Sequence, residues 1–532
     1  MNLAWLLLAA GCSTAPSNAL KDTHSAAPQI GADSGDGTAE SVPGGDTQEE
    51  GPETGSPPPE PAGCVGPNPV SLNDETCVSQ AACQWTGSQY YGGLGYSMDL
   101  GGDVDGDGTV DMLVGAYLED EMDGDAIVTL DAGQVHLWLG ADRADRMDAS
   151  GTLRGSTIGS HLGYDVAIVP DINGDGFDEI LSGGRGTSSE TDNALGEVQL
   201  VLGRAGGFDS LTADRTWFGE HAYDRMGSTV KGLGDTNGDG LGELAFTTNN
   251  RKVSSSGYES PGTGAVLILN GRSDPGLLPP VSSPDARIEG VGASDSAGHA
   301  IATGDLNGDG HPDLAIGAPY GHANYGRIAI FAGSSTGFSG THTLDDATVD
   351  IRGNQYSSAL GYSLAIADLD GDGFAELVAG SPLGSEGFSK GGSVHIFNGD
   401  EEFFVKTPEA NTIITGEFDD HQFGVDVVAG PDINGDGHPD LLVGAIYAWR
   451  GLVTKGGRVY GFHGPRSDWG ESVQAQRAAI QLFGSSTKDY VGRASGAADL
   501  NGDGKADIVT STAFVNDGSN YDAGGVYLFW GE

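Results

Sequence analysis

The sequence predicts an all-β fold, a seven-bladed β-propeller, from three observations. A nine-residue acidic pattern recurs seven times, each copy lies among short apolar runs ending in Gly, and no amphipathic helical window of useful length intervenes. The pattern has an acid at positions 1, 5 and 9, Asp or Asn at 3, and Gly at 4 and 6. It reads DVDGDGTVD from Asp103, DINGDGFDE from Asp171, DTNGDGLGE from Asp235 and DLNGDGHPD from Asp305. It returns as DLDGDGFAE from Asp368, DINGDGHPD from Asp432 and DLNGDGKAD from Asp499, a mean period of about 66 residues.

Each unit carries further landmarks in fixed order. About eight to ten residues before the loop stands an apolar residue followed by Gly: Leu94-Gly95, Leu162-Gly163, Met226-Gly227, Ala297-Gly298, Leu360-Gly361, Phe423-Gly424 and Val491-Gly492. Ala297-Gly298 is the weakest copy. Directly after the loop comes an apolar run such as LAIGAP from Leu314, and further on a Gly-bounded run such as GRIAIFAG or GGVYLFWG. A fourth run, such as TIITG from Thr412, precedes the next apolar-Gly pair. Runs of this length, rich in Val, Ile, Leu and aromatics and closed by Gly, are strands. Four per unit make a propeller blade. The phase of the repeat predicts the closure: QWTG at Gln84–Gly87 stands alone before the first unit, and the seventh unit lacks its outer strand. These residues are expected to complete the blade that carries Asp499.

Ahead of the ring the sequence predicts three segments. Residues 1–11, MNLAWLLLAAG, are too short and too close to a small-small-Cys junction to span a bilayer, and resemble a bacterial lipoprotein signal peptide. That resemblance makes Cys12 the lipidated residue, although Leu8 stands one position early and no basic residue precedes the apolar run. Residues 12–62 contain no aromatic and are rich in Ser, Gly, Pro and acids, which makes them a disordered tether. About 50 such residues span roughly 40 Å. Residues 63–83 form a lead-in with Cys64, Cys77 and Cys83, in which an exported protein is expected to form one disulfide of unspecified pairing. Residues 84–532 are the propeller.

The chain has 76 Asp plus Glu against 25 Lys plus Arg, a formal charge of −51, which disfavours nucleic acid and acidic lipid as partners. Membrane contact is expected through the lipid anchor alone. A hard divalent cation accounts for the loop pattern. Side-chain oxygens at positions 1, 3, 5 and 9 with a carbonyl at 7 can surround Ca2+, and Gly at 4 and 6 permits the tight curl. The candidate ligands are Asp103, Asp105, Asp107 and Asp111; Asp171, Asn173, Asp175 and Glu179; Asp235, Asn237, Asp239 and Glu243; and Asp305, Asn307, Asp309 and Asp313. The last three loops supply Asp368, Asp370, Asp372 and Glu376; Asp432, Asn434, Asp436 and Asp440; and Asp499, Asn501, Asp503 and Asp507, so about seven Ca2+ are expected. An EF-hand needs Glu at position 12, where this chain has Val114, Ser182, Phe246, Ile316, Ala379, Val443 and Thr510.

The units resemble FG-GAP repeats, those of the integrin α-subunit N-terminal propeller, in the apolar-Gly pair, the DxDGDGxxD-type loop and the Gly-Ala-Pro-like strand end, best seen at Gly317-Ala318-Pro319. The resemblance covers roughly residues 84–532. It implies calcium in the hairpin between the first two strands of a blade, on the lower face. It departs in having a loop in all seven units, and with no leg domains or membrane span after the propeller an integrin-type receptor is not expected.

The functional reading is a calcium-stabilised, membrane-tethered, extracytoplasmic binding or adhesion module, on the bacterial outer membrane or cell surface, for a protein or glycan partner. Recognition is expected on the loops opposite the calcium face, with Tyr117, Tyr320, His322, Tyr325, Tyr447, Trp449 and Arg450 as contact residues. One alternative is a polysaccharide hydrolase or lyase using Asp419, Asp420 and His421, a trio that so acidic a chain produces by chance. Another is a scaffold in an envelope assembly. No nucleophile elbow, phosphate loop or zinc-helix motif is present, and catalytic residues are not expected.

Overall fold

The computed structural model describes residues 75–531 except 88, 90, 124–125, 141–148, 187–193, 207, 209, 250–261, 293, 407, 467–468 and 513–522. The signal segment, the tether with Cys12, and Cys64 lie outside the described residues. Among the described residues no helix is long and apolar enough to cross a membrane.

Seven antiparallel blades form the ring. Blade one runs Leu94–Leu100, Met112–Ala116, Gln134–Trp138 and Gly151–Arg154, from the axis outward. The other six repeat that order, with inner strands Leu162–Val169, Val230–Gly234, Ala300–Gly304, Leu364–Ala367, Phe423–Ala429 and Ser495–Ala498. Second strands such as Asp313–Ala318 are buried at every position, so they read as continuous apolar runs rather than alternating ones. The core is a ring of contacts between neighbours: Val198, Leu200 and Trp217 of blade two, for example, pack on Leu244, Phe246 and Leu267 of blade three.

The apolar-Gly pair is where blades meet. The Gly that opens the third strand of one blade forms a parallel bridge to the apolar residue of the next, as in Gly133 to Leu162, Gly196 to Met226 and Gly457 to Val491. At Gly133, φ is +76° and a Cβ would lie 2.2 Å from the Leu162 carbonyl oxygen, so both conformation and space demand glycine.

Closure follows the phase of the repeat. Cys83–Thr86 pairs antiparallel with Gly525–Phe529 as the outer strand of blade seven, with Trp85 opposite Val526. Trp85 is buried and its ring centroid lies 5.8 Å from that of Trp138 of blade one, so the closing strand spans the seam.

The lead-in is not separate from the ring. Glu75–Cys77 pairs in parallel with Ile480–Phe483 and adds a fifth strand to blade six. Gly340–Thr343 does the same for blade three and Ser472–Gln474 for blade five. Each added strand leads through one 3-10 turn, closed by the N–H of Ala81, Ala347 or Ala478, into an outer strand of the next blade. The clasp covers an edge that would otherwise present unpaired backbone groups. Cys77 and Cys83, at the two ends of the first clasp turn, are both disulfide-bonded.

Emptying the closure anchor with Trp85→Ala should cost about 3–5 kcal/mol in chemical denaturation. Deleting 75–87 should lower the melting temperature further, and an unchanged melt would refute closure by this segment.

Candidate functional site

The seven acidic loops connect the first and second strands of the blades and therefore lie together at one end of the channel. Their internal geometry repeats. In loop one, Oδ1 of Asp103 accepts the N–H of Gly106 at 2.7 Å and of Asp107 at 3.1 Å, and Oδ2 accepts that of Gly108 at 2.8 Å. Asp305 does the same with Gly308, Asp309 and Gly310, and Asp499 with Gly502, Asp503 and Gly504. Position 5 accepts the amide of position 7, as Asp436 does from His438 at 2.9 Å. The glycines at positions 4 and 6 have positive φ in all seven loops. A Cβ on Gly108 or Gly504 would meet nothing within 4 Å, so backbone conformation, not crowding, requires Gly there.

Position 9 divides the loops into two kinds. Where it is Asp, the carboxylate is buried and both oxygens accept backbone N–H groups. Asp111 takes Val104 and Gly140, Asp313 takes Leu306 and Gly333, and Asp507 takes Leu500 and Gly531, at 2.7–2.9 Å. The same residue thus ties the loop to the end of the third strand. Where it is Glu, one oxygen accepts the position 2 amide and the other turns into the loop: Glu179 and Glu243 receive the Asn173 and Asn237 amides, and Glu376 Oε1 is buried without a partner.

Carboxylate oxygens converge within 4.8 Å in four loops, as Asp103, Asp105 and Asp111; Asp171, Asp175 and Glu179; Asp235, Asp239 and Glu243; and Asp368, Asp370 and Glu376. Burial first, then neighbouring loop acids, push Glu179 up to about 8 and Glu376 up to about 7; Asp313 and Asp507 rise to about 6. All-oxygen donors, like charges held together and an orphaned buried oxygen fit a hard divalent cation. Loop five departs from the others. Arg466, reaching in after the third strand of blade six, pairs with Asp370 at 2.9 Å and brings a guanidinium to the cluster.

Residues that begin the inner strands lie at the opposite end. The residue after each apolar-Gly pair faces the channel there: Tyr96, Tyr164, Ser228, His299, Tyr362, Val425 and Arg493, all lining a cavity of about 1310 Å3. Sequence reasoning missed this ring, although one position after a landmark already identified would have found it. Tyr117 joins it, with its ring centroid 4.2 Å from that of Tyr96. Tyr320 reaches it edge-on to His299 at 6.4 Å.

The other expected contact residues fall in two separate places. His322 and Tyr325 lie 5.7 Å apart, next to the exposed Tyr356. Trp449, 44% exposed, lies 5.2 Å from Phe418, while Tyr447 sits beneath Lys455 and Arg450 lies 3.9 Å over Phe483. Arg450 thus packs within its own blade, whereas Tyr447 also meets Tyr490, with ring centroids 5.6 Å apart, and packs on the cluster that includes Val425 and Tyr362 of the ring. The Asp419, Asp420, His421 trio is not assembled. Asp419 accepts the Ser389 N–H, Asp420 is exposed at φ +60°, and His421 is buried with neither ring nitrogen hydrogen-bonded. Burial, then the Arg458 charge, hold His421 down at about 4, so it is neutral.

Below the ring, acids reach sideways between blades. Asp99 accepts the Ile168 N–H and Asp165 the Val230 N–H, each at 2.8 Å, and Asp426 bonds to Ser495. Burial pushes Asp165 and Asp426 up to about 7 against the pull of these bonds.

Seven blades of four strands, three of them with an added fifth, each with an acidic loop in its inner hairpin, define a repeat β-propeller. FG-GAP repeats match residues 297–331, 360–397, 423–462 and 491–529, which are blades four to seven. Blades four to seven are thus FG-GAP repeats, and the propeller resembles that of integrin α. It is 31% identical over 200 residues to integrin alpha-5 of Xenopus laevis, covering 36% of this chain and 18% of that protein. It is also 31% identical over 202 residues to phosphatidylinositol-glycan-specific phospholipase D of Homo sapiens, covering 37% of this chain and 24% of that protein. The chain thus spans less than a quarter of either relative. Among solved structures, the exotype rhamnogalacturonan lyase YesX aligns with a TM-score of 0.39 and 14% identity over 84% of this chain and 75% of that one.

Two measurements test this geometry. Melting temperature should rise with the logarithm of Ca2+ concentration and fall in chelator, and Asp103→Ala should reduce the Ca2+-dependent gain; identical melts with and without chelator would refute metal binding. For Asp165, a folded pKa of about 7 against an ordinary 3.8 means stability that is full below about pH 4 and lost as pH rises through 7. Asp165→Asn should therefore gain about 2 °C on the wild type at pH 8 relative to pH 5; a pH-independent difference contradicts the burial argument.

Proposed function

We propose that this protein is a calcium-stabilised binding module, carried outside the cytoplasm on a lipid-anchored tether, that presents the face opposite its acidic loops to a protein or glycan. The division of the two faces supports this reading. The loop face is given to acids that satisfy their own backbone, whereas the other face carries the cavity and the exposed aromatics Tyr356, Phe388, Phe418 and Trp449. Aromatic side chains beside polar groups suit sugar and protein contacts. The lipobox-like Ala9-Ala10-Gly11-Cys12 and the tether support delivery to a membrane surface.

A hydrolase or lyase based on Asp419, Asp420 and His421 draws no support from the geometry, because the imidazole is buried and partnerless. The likeness to the phospholipase D covers too little of that protein to carry its activity here.

The test is capture of extracellular glycans and envelope proteins by the soluble 63–532 chain. Specific capture that falls at least fivefold in a Phe418→Ala, Trp449→Ala variant supports the aromatic face. Turnover of a polysaccharide abolished by Asp419→Asn and Asp420→Asn would replace the binding reading with the enzymatic one.

A further inference from the structure

We propose that the channel mouth opposite the acidic loops binds the carboxylate of an acidic sugar, seated on Arg493 and Arg185 within a ring of tyrosines. The inference rests on the binding-module reading and names its ligand class. Arg493 lies 4.2 Å over the Tyr96 ring and hydrogen-bonds Tyr362, and its Nε is buried without a partner. Arg185 lies 4.5 Å over Tyr164 and donates to its hydroxyl at 3.0 Å. Neither guanidinium has an ion-pair partner among the described residues. In a chain with 76 acids and 25 bases, two neighbouring cations held only by phenols are a notable arrangement. Burial raises the Tyr96, Tyr117 and Tyr362 hydroxyls above the ordinary phenol range, so these orient the guanidiniums as neutral groups; at Tyr164 the Arg185 and Arg493 charges outweigh burial and lower it. Asp426, on the same cavity wall, bonds to Ser495 and feels the Arg493 charge without a direct ion pair to it. A guanidinium with free donors beside a neutral wall is a fork for one carboxylate.

The rest of the cavity favours a carbohydrate over a peptide. Its volume of about 1310 Å3 exceeds the roughly 300–1,000 Å3 typical of small-ligand pockets, enough for more than one sugar ring. The hydroxyl of Ser228, one of the channel-facing residues, donates to the Arg225 carbonyl at 2.8 Å, so it keeps lone pairs to accept from a ligand hydroxyl. The surrounding −51 charge disfavours a polyanion laid across the face. It fits a single acidic residue at a chain end, entering the channel while its neutral neighbours meet the surface.

The experiment titrates the full chain with a disaccharide ending in glucuronate, its neutral glucose counterpart and a short acidic peptide, by calorimetry, with melting temperatures measured in parallel. Saturable binding of the glucuronate disaccharide is expected, weakened at least tenfold by Arg493→Gln and also by Arg185→Gln, with little binding of the other two probes. Three results overturn the inference: no saturable glucuronate binding, equal binding of the neutral disaccharide, or a folded Arg493→Gln that binds as the wild type does. Peptide binding as tight as the uronate's would assign the carboxylate site to a protein ligand and overturn the sugar. Should Arg493→Gln fail to fold, Arg185→Gln and Tyr164→Phe give the same reading, because the Tyr164 hydroxyl holds Arg185. Glycan or protein capture that survives in folded Arg493→Gln leaves the binding module standing and removes only this site; absence of any capture removes both.

Discussion

Everything in the ring depends on how closely two blades can approach where one third strand passes the next inner strand. The parallel bridges from Gly133, Gly196, Gly326, Gly392, Gly457 and Gly524 to the apolar residue of the neighbouring blade set that distance. With backbone against backbone at six such seams, the second strands become buried on both faces and their apolar runs form the core. The same contact aims the residue after each apolar-Gly pair down the axis. A packing requirement thus decides which side chains the channel receives.

The acidic loops answer a different problem, that of turning from the inner to the second strand in nine residues. Position 1 does so by accepting three backbone amides, and position 9, when it is Asp, by tying the turn to the end of the third strand. A cation would draw together carboxylates that the fold already assembles, and it would relieve the cost that burial imposes on Glu179 and Glu376. The Arg466 guanidinium beside Asp370 shows that this chain can also bring positive charge to such a loop from its own side chains. The opposite face inverts the arrangement, with guanidiniums resting on phenols.

Much of this was legible in the sequence, because the repeat is local. Strand order, the seven loops with their positive-φ glycines, and the closure by Trp85 and its neighbours all follow from spacing along the chain. The clasp strands Glu75–Cys77, Gly340–Thr343 and Ser472–Gln474 were not legible. They are three or four residues long, lack an apolar run, and pair with a strand of a different unit. The scatter of the expected contact residues was equally hidden. Tyr447 and Trp449 are two residues apart, yet one is held beneath Lys455 and the other is exposed beside Phe418.

By itself the sequence determined the blade, because periodicity, turn glycines and ligand-type acids act over distances of a few residues. Only the tertiary structure decided what the blades make together: that Tyr96, Tyr164, Tyr362 and Arg493, up to about 400 residues apart, meet at one channel mouth, and that Asp419 and His421, two residues apart, share no hydrogen bond. The physical reason is closure of the ring, which converts an equivalent position in each repeat into a neighbour across the axis. No pattern along the chain encodes that distance.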